Sequence, residues 1–156
     1  MIAEILNNKP VLVGLHLGFA ILGIDSFLWL AGEIIADPEK RRRLKMVALG
    51  GVISFVMSWL IGGYYYVTYY GKLVKPEILA GTAPWAHAVA MEAKEHIFLF
   101  IVPLALTAVF LSFVSKEELN FNNLRRPFLS LVIFIALAAL ALGLMGYIIS
   151  AAARWG

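Results

Sequence analysis

The sequence predicts an all-α protein of the membrane: a bundle of four spanning helices with both termini on the outer side. Three observations point there. The chain is 62% hydrophobic and 15% charged, with a mean hydropathy of +0.85, whereas a soluble domain runs nearer 45–50% apolar. Cutting at the charges leaves four long apolar stretches, Pro10–Gly32, Met46–Gly71, Ile97–Ser115 and Pro127–Ala153, each near the ~20 residues that a spanning helix needs. The bases also gather at two of the three connections. A barrel would instead show alternating segments of ~10 residues, and none is present.

Taken in order, the elements form one domain over residues 1–156, with helices at about 10–35, 45–70, 85–115 and 127–153. The first apolar stretch is retained as a helix, because its basic run follows it and no Ala-x-Ala-like cleavage site appears. Asp37-Pro38 stops it. A short connection rich in bases, Lys40, Arg41, Arg42, Arg43 and Lys45, then makes the first two helices antiparallel neighbours. The second helix ends in Tyr64, Tyr65, Tyr66, Tyr69 and Tyr70, read as an interfacial belt or as a lining for a quinone or porphyrin. Gly71–Pro84 is expected to cross the outer surface as an ordered loop. The third connection carries a capping-box pattern, Ser115-x-x-Glu118, suited to a short turn of helix. Gly50-Gly51, Gly62-Gly63 and Gly143-x-x-Gly146 offer small surfaces for close helix packing.

Charge and composition exclude several functions. The net charge of +3 does not indicate nucleic acid, because Lys116, Arg125 and Arg126 join the first basic run in flanking the helices. By the positive-inside rule both of these connections are cytoplasmic, which puts the N- and C-termini outside a prokaryotic inner membrane. The absence of cysteine rules out disulfides, thiolate-held zinc, iron–sulfur clusters and covalently attached haem. Any metal must use His, carboxylate or Met.

The segment from His87 to His96 holds most of the candidate chemistry, because ionisable groups at the mouth of an apolar helix mark sites more than scaffolds. Counted outward from the cytoplasmic boundary at ~1.5 Å per residue, His16 lies roughly 25 Å and His96 roughly 28 Å out. Matched depth on two helices suits axial ligation of a haem b, and Gly14 and Gly18 beside His16 leave room for a macrocycle edge. The same region offers a second site. Glu92 and His96 are four apart with Glu95 between them in angle, and with His16 or His87 they form a set suited to non-haem iron, copper or zinc. Met91, four beyond His87, is a soft ligand or a packing residue. Asp25 stands roughly 12 Å inside the hydrocarbon, where an acid must be paired, protonated or hydrated. Ser54, Ser58 and Thr107 are its expected partners, and proton uptake linked to redox chemistry is the functional alternative.

Leu15-His16-Leu17-Gly18, with the later Trp29-Leu30-Ala31-Gly32, resembles the opening helix of small four-helix haem-binding membrane proteins of the copper-resistance D and HemJ-like kind. The resemblance implies a haem-associated bundle with His16 as an axial ligand. The expected function is a b-type cytochrome-like electron-transfer subunit, exchanging electrons with quinol or a periplasmic redox partner, within the bilayer and beside other protein subunits. Two alternatives stay open: a non-catalytic anchor or assembly subunit, and a metal or proton-coupled transporter using Glu92, Glu95, His96 and Asp25.

Overall fold

The computed structural model describes residues 4, 6–36 and 41–155 and has no strand among the described residues. Helix α1 spans Lys9–Ala36, and α2 spans Arg42–Tyr65. The chain then continues through a π-helical segment, Tyr66–Val74, into α3, Lys75–Ala80. A second π-helical segment, Ala86–Met91, runs into α4, Glu92–Phe113. Helix α5 is short, Lys116–Phe121, and α6 covers Arg125–Trp155. Four rods, Lys9–Ala36, Arg42–Ala80, Ala86–Phe113 and Arg125–Trp155, are long and apolar enough to cross a bilayer. Pro10 and Pro127 fall in first turns, where the missing N–H has no intrahelical partner to lose.

The rods close a ring in which α1 packs on α2 and α6, and α4 packs on α6 and α2. Phe27, Phe55, Ile101, Ala105, Phe128 and Ile135 fill its centre. Glycine sets the α1–α2 spacing. A methyl group on Gly23 would fall inside the Phe55 ring, and one on Gly51 would sit 2.8 Å from Phe27. Each phenylalanine therefore rests on the other helix's glycine, and the two rings stack at 5.4 Å and 6°. The register is strictly antiparallel: four residues from Gly23 to Phe27 on α1 match four from Phe55 back to Gly51 on α2. Seven residues further toward the other end, His16 meets Gly62 by the same rule.

The basic end of the bundle is tied by side chains as well as by charge. Arg125 donates to the carbonyls of Ile34 and Ile35, each at 3.2 Å, and so satisfies acceptors that the end of α1 leaves open. Buried Glu33 accepts from Trp29 Nε1 at 2.9 Å and from Arg43 at 3.3 Å. Arg43 and Arg125 thus hold helix ends together, beyond any topogenic role. Ser115 and Glu118 close the expected capping box, and α5 is the predicted short turn of helix. Asn123 adopts the left-handed conformation with φ 54°, which Asn tolerates better than most residues, and redirects the chain into α6. Asp37-Pro38 and Lys40 lie outside the described residues.

The expected outer loop is largely helix. The second rod runs to Ala80, well past Gly71, and only residues 81–84 are non-helical between the second and third rods. Pro76 falls in the first turn of α3, directly after Lys75, whose N–H still bonds the Tyr70 carbonyl, and the rod continues through it to Ala80. Tyr70 and Ile78 give the extension a buried face against Ala86, Ala90 and Ile149. The punctuation read as a loop lies inside a continuing helix.

The glycine contacts yield a direct test. Gly23→Ala should destabilise the fold by about 1–3 kcal/mol, the usual cost of overpacking. Gly50→Ala, at a position with nothing within 4 Å, should be neutral or slightly stabilising. Unfolding titrations in mixed detergent measure both, and equal effects at the two sites would contradict the interlocked packing.

Candidate intramembrane polar site

At the end of the rods opposite the basic connections, polar side chains enter the apolar bundle from three helices. His16 on α1 is half-buried and turned to α2. Its Nδ1 lies 2.8 Å from the Ser58 carbonyl oxygen and 3.0 Å from Ser58 Oγ, which itself donates to the His16 carbonyl at 3.0 Å. A carbonyl only accepts, so Nδ1 carries a proton. Gly62 makes the contact possible, because a methyl group there would stand 2.5 Å from Nδ1.

One π-helical segment lies within rod two and the other opens rod three. Their wider turns depart from the 3.6-residue phase, a feature that recurs at functional sites. Tyr70 from one and His87 from the other are both buried, and Tyr70 Oη lies 3.1 Å from His87 Nδ1. Tyr66 stacks on Tyr70 at 5.1 Å, and its hydroxyl is turned to the carboxyl of Glu95. Oε1 of Glu95 is buried and takes no hydrogen bond among the described residues. Lys94 sits in electrostatic range of both Glu95 and His16. It reaches α6 at Gly146, where its Nζ would lie 3.5 Å from an added methyl group.

The predicted residues divide between this cluster and the surface. His16, His87 and Glu95 belong to it. Exposed Glu92 lends His96 its backbone carbonyl: His96 Nδ1 donates to that oxygen at 2.6 Å, and the rest of the ring is exposed. His16 and His96 thus stand on rods that are not adjacent in the ring, one ring facing α2 and the other outward. Among the described residues no three of His, Asp and Glu gather closely enough to hold a metal ion. Met91 packs against the Tyr70–Ile149 cluster. Asp25 does not meet its expected hydroxyls. It is exposed on the outer face of α1 without a hydrogen bond among the described residues, while Ser58 is engaged by His16, and Thr107 donates to the Pro103 carbonyl at 3.0 Å.

Sequence reasoning does not bring Lys94, Tyr66, Tyr70, Ser58 and Gly62 to this cluster. It offers the tyrosines as an interfacial belt or a cofactor lining, Ser58 as a partner for Asp25 and Gly62 as a packing surface, and it assigns Lys94 no role in a site. The available signal was a lysine between two acids at the start of an uncharged span, where a charge needs an internal partner.

These features define a class: an all-helical protein with four helices able to span a membrane and a protonatable cluster within the bundle. Comparison of the chain with protein-family models, with curated proteins and with solved structures finds no match to any of them.

The histidine tautomers are directly measurable. Nitrogen NMR of the ring-labelled protein should show a proton on Nδ1 of both His16 and His96. A ring bare at Nδ1 in either would contradict its carbonyl hydrogen bond.

Proposed function

We propose that the protein is a b-type cytochrome-like electron-transfer subunit of the membrane, exchanging electrons with quinol in the bilayer or with a periplasmic redox protein. The cluster of Glu95, Lys94, Tyr66, Tyr70 and His87 in an otherwise apolar bundle carries this reading. Oxidising a quinol releases two electrons and two protons, and in hydrocarbon the protons need a fixed acceptor. Glu95 offers an open carboxyl oxygen beside a phenol and an ammonium group. The Tyr70–His87 pair lies close to the short connection at the bundle end, where a proton can leave. If the basic connections are cytoplasmic, as the positive-inside rule directs, the cluster lies toward the outer face, within reach of a periplasmic partner.

Haem would supply the one-electron step. The donor chemistry of His16 and His96 fits it, since Nδ1–H bonded to a carbonyl is the arrangement that orients a ligating imidazole. Their rings face different surroundings, so a single chain does not close a bis-histidine site here. His96, whose ring is exposed, would hold such a group from this chain, and a second ligand would have to come from a partner subunit.

The test is a reduced-minus-oxidised visible spectrum of the protein purified with its native partners. His96→Ala should abolish or convert the low-spin signal. Glu95→Gln should leave the dithionite-reduced spectrum intact and slow quinol-driven reduction about 10²-fold or more, the usual contribution of a positioned proton acceptor. A well-folded preparation without iron, or one that quinol reduces equally with Gln at position 95, would overturn the reading in favour of an anchor subunit.

A further inference from the structure

We propose that the groove between the end of α1 and the start of α6 binds one anionic phospholipid, its phosphate held by Arg125 and Arg126 and an acyl chain laid along Ile34, Ile35 and Leu129. Nothing in this depends on a cofactor or on the polar cluster at the opposite end.

The groove lies where two rods that are apolar enough to cross a bilayer reach their ends, which sets it at the level of lipid headgroups. Arg125, Arg126, Ile34, Ile35 and Leu129 line an open space of about 270 Å³ there. Ile34 is buried, Leu129 half-buried and Ile35 exposed, so an aliphatic floor opens sideways beneath a rim of two guanidinium groups. A phospholipid has the matching pattern, a hydrocarbon chain below a charged phosphate. A soluble anion makes no use of the floor, and a neutral lipid makes no use of the rim.

Charge makes the groove more than an apolar face. No acid lines it. Of the described acids at this end, Glu33 is engaged by Trp29 and Arg43, Glu118 closes the Ser115 capping box, and Glu117 stands exposed on α5. Arg126 is exposed and has no hydrogen bond or ion pair among the described residues. Arg125 is used only in part: both of its bonds to the α1 carbonyls come from Nη2, which leaves Nε and Nη1 without partners among the described residues. Those bonds fix the guanidinium before any ligand arrives, so binding costs little further ordering. With no acid in the first turn of α6, the two adjacent cations repel one another until an anion lies between them. A guanidinium presents paired donors that match phosphate oxygens, and basic pockets between spanning helices recognise lipid headgroups in this way.

The test titrates the full chain, purified in neutral detergent, with dioleoylphosphatidylglycerol or dioleoylphosphatidylcholine, which share their acyl chains and differ in charge. Native mass spectrometry counts the lipid bound. One phosphatidylglycerol should bind about fivefold or more tightly than phosphatidylcholine. Arg126→Gln should weaken phosphatidylglycerol about fivefold, the effect of one base near an anionic headgroup, and leave phosphatidylcholine unchanged. Ile35→Glu, which sets an acid in the groove wall at an exposed position, should weaken phosphatidylglycerol at least as much. Arg42→Gln removes the same charge from an exposed position at the same end but outside the groove, and should leave both affinities unchanged. Inorganic phosphate at the lipid's concentration should not displace the bound lipid. The histidine NMR signals, which arise at the opposite end of the rods, will show that each variant keeps the fold. Equal binding of the two lipids would overturn the proposal. So would equal losses with Arg126→Gln and Arg42→Gln, the mark of diffuse surface charge, or displacement by inorganic phosphate, the mark of a site for the anion alone.

Discussion

The structure depends on the approach of the first two rods, which is closer than their side chains would allow if any one of three glycines were larger. Phe27 lies on Gly51, Phe55 on Gly23, and His16 on Gly62, all in one antiparallel register. In a bilayer the hydrophobic effect does not favour one apolar surface over another, so helix association rests on packing and on hydrogen bonds between helices. The phenylalanine–glycine interlock supplies the packing. The hydrogen bonds between His16 and Ser58 follow from it, because the spacing that seats the aromatic rings also brings an imidazole within 2.8 Å of a carbonyl on the neighbouring helix.

The polar cluster is costly where it stands, and its surroundings are arranged to limit that cost. Lys94 is placed between an acid and a histidine and against a glycine instead of a bulky side chain. Tyr70 and His87 satisfy one another inside an apolar shell of Ile78, Ala86, Ala90 and Ile149. Among the described residues Glu95 keeps a buried carboxyl oxygen without a hydrogen bond. A group left in that state within hydrocarbon is the natural place for a proton to arrive.

The four spans were legible in the sequence because their signal is composition over some twenty residues, and the capping box at Ser115 because it is a local pattern with one physical outcome. The end of the second helix was not, since Gly71 and Pro76 read as breaks when one is tolerated in a widened turn and the other lies inside a continuing helix. The sequence offers a residue count along each helix for His16 and His96, but not the azimuth. Residue counting places both near one level, and only packing decides that His16 faces α2 while His96 faces outward. Asp25 shows the same gap: its level in the membrane could be counted, but not the direction it points. Lys94 was legible as a charge and illegible as an interior group, because its accommodation depends on Gly146, fifty-two residues away.

The central claim is that Glu95 accepts a proton inside the bundle when quinol gives up its electrons. An infrared difference spectrum of the membrane-embedded protein, recorded as quinol is oxidised, tests it most directly. The account predicts a new carbonyl band of a protonated carboxylic acid that is absent from Glu95→Gln. A spectrum with no carboxylic acid band, or one whose band persists with glutamine at position 95, would contradict it.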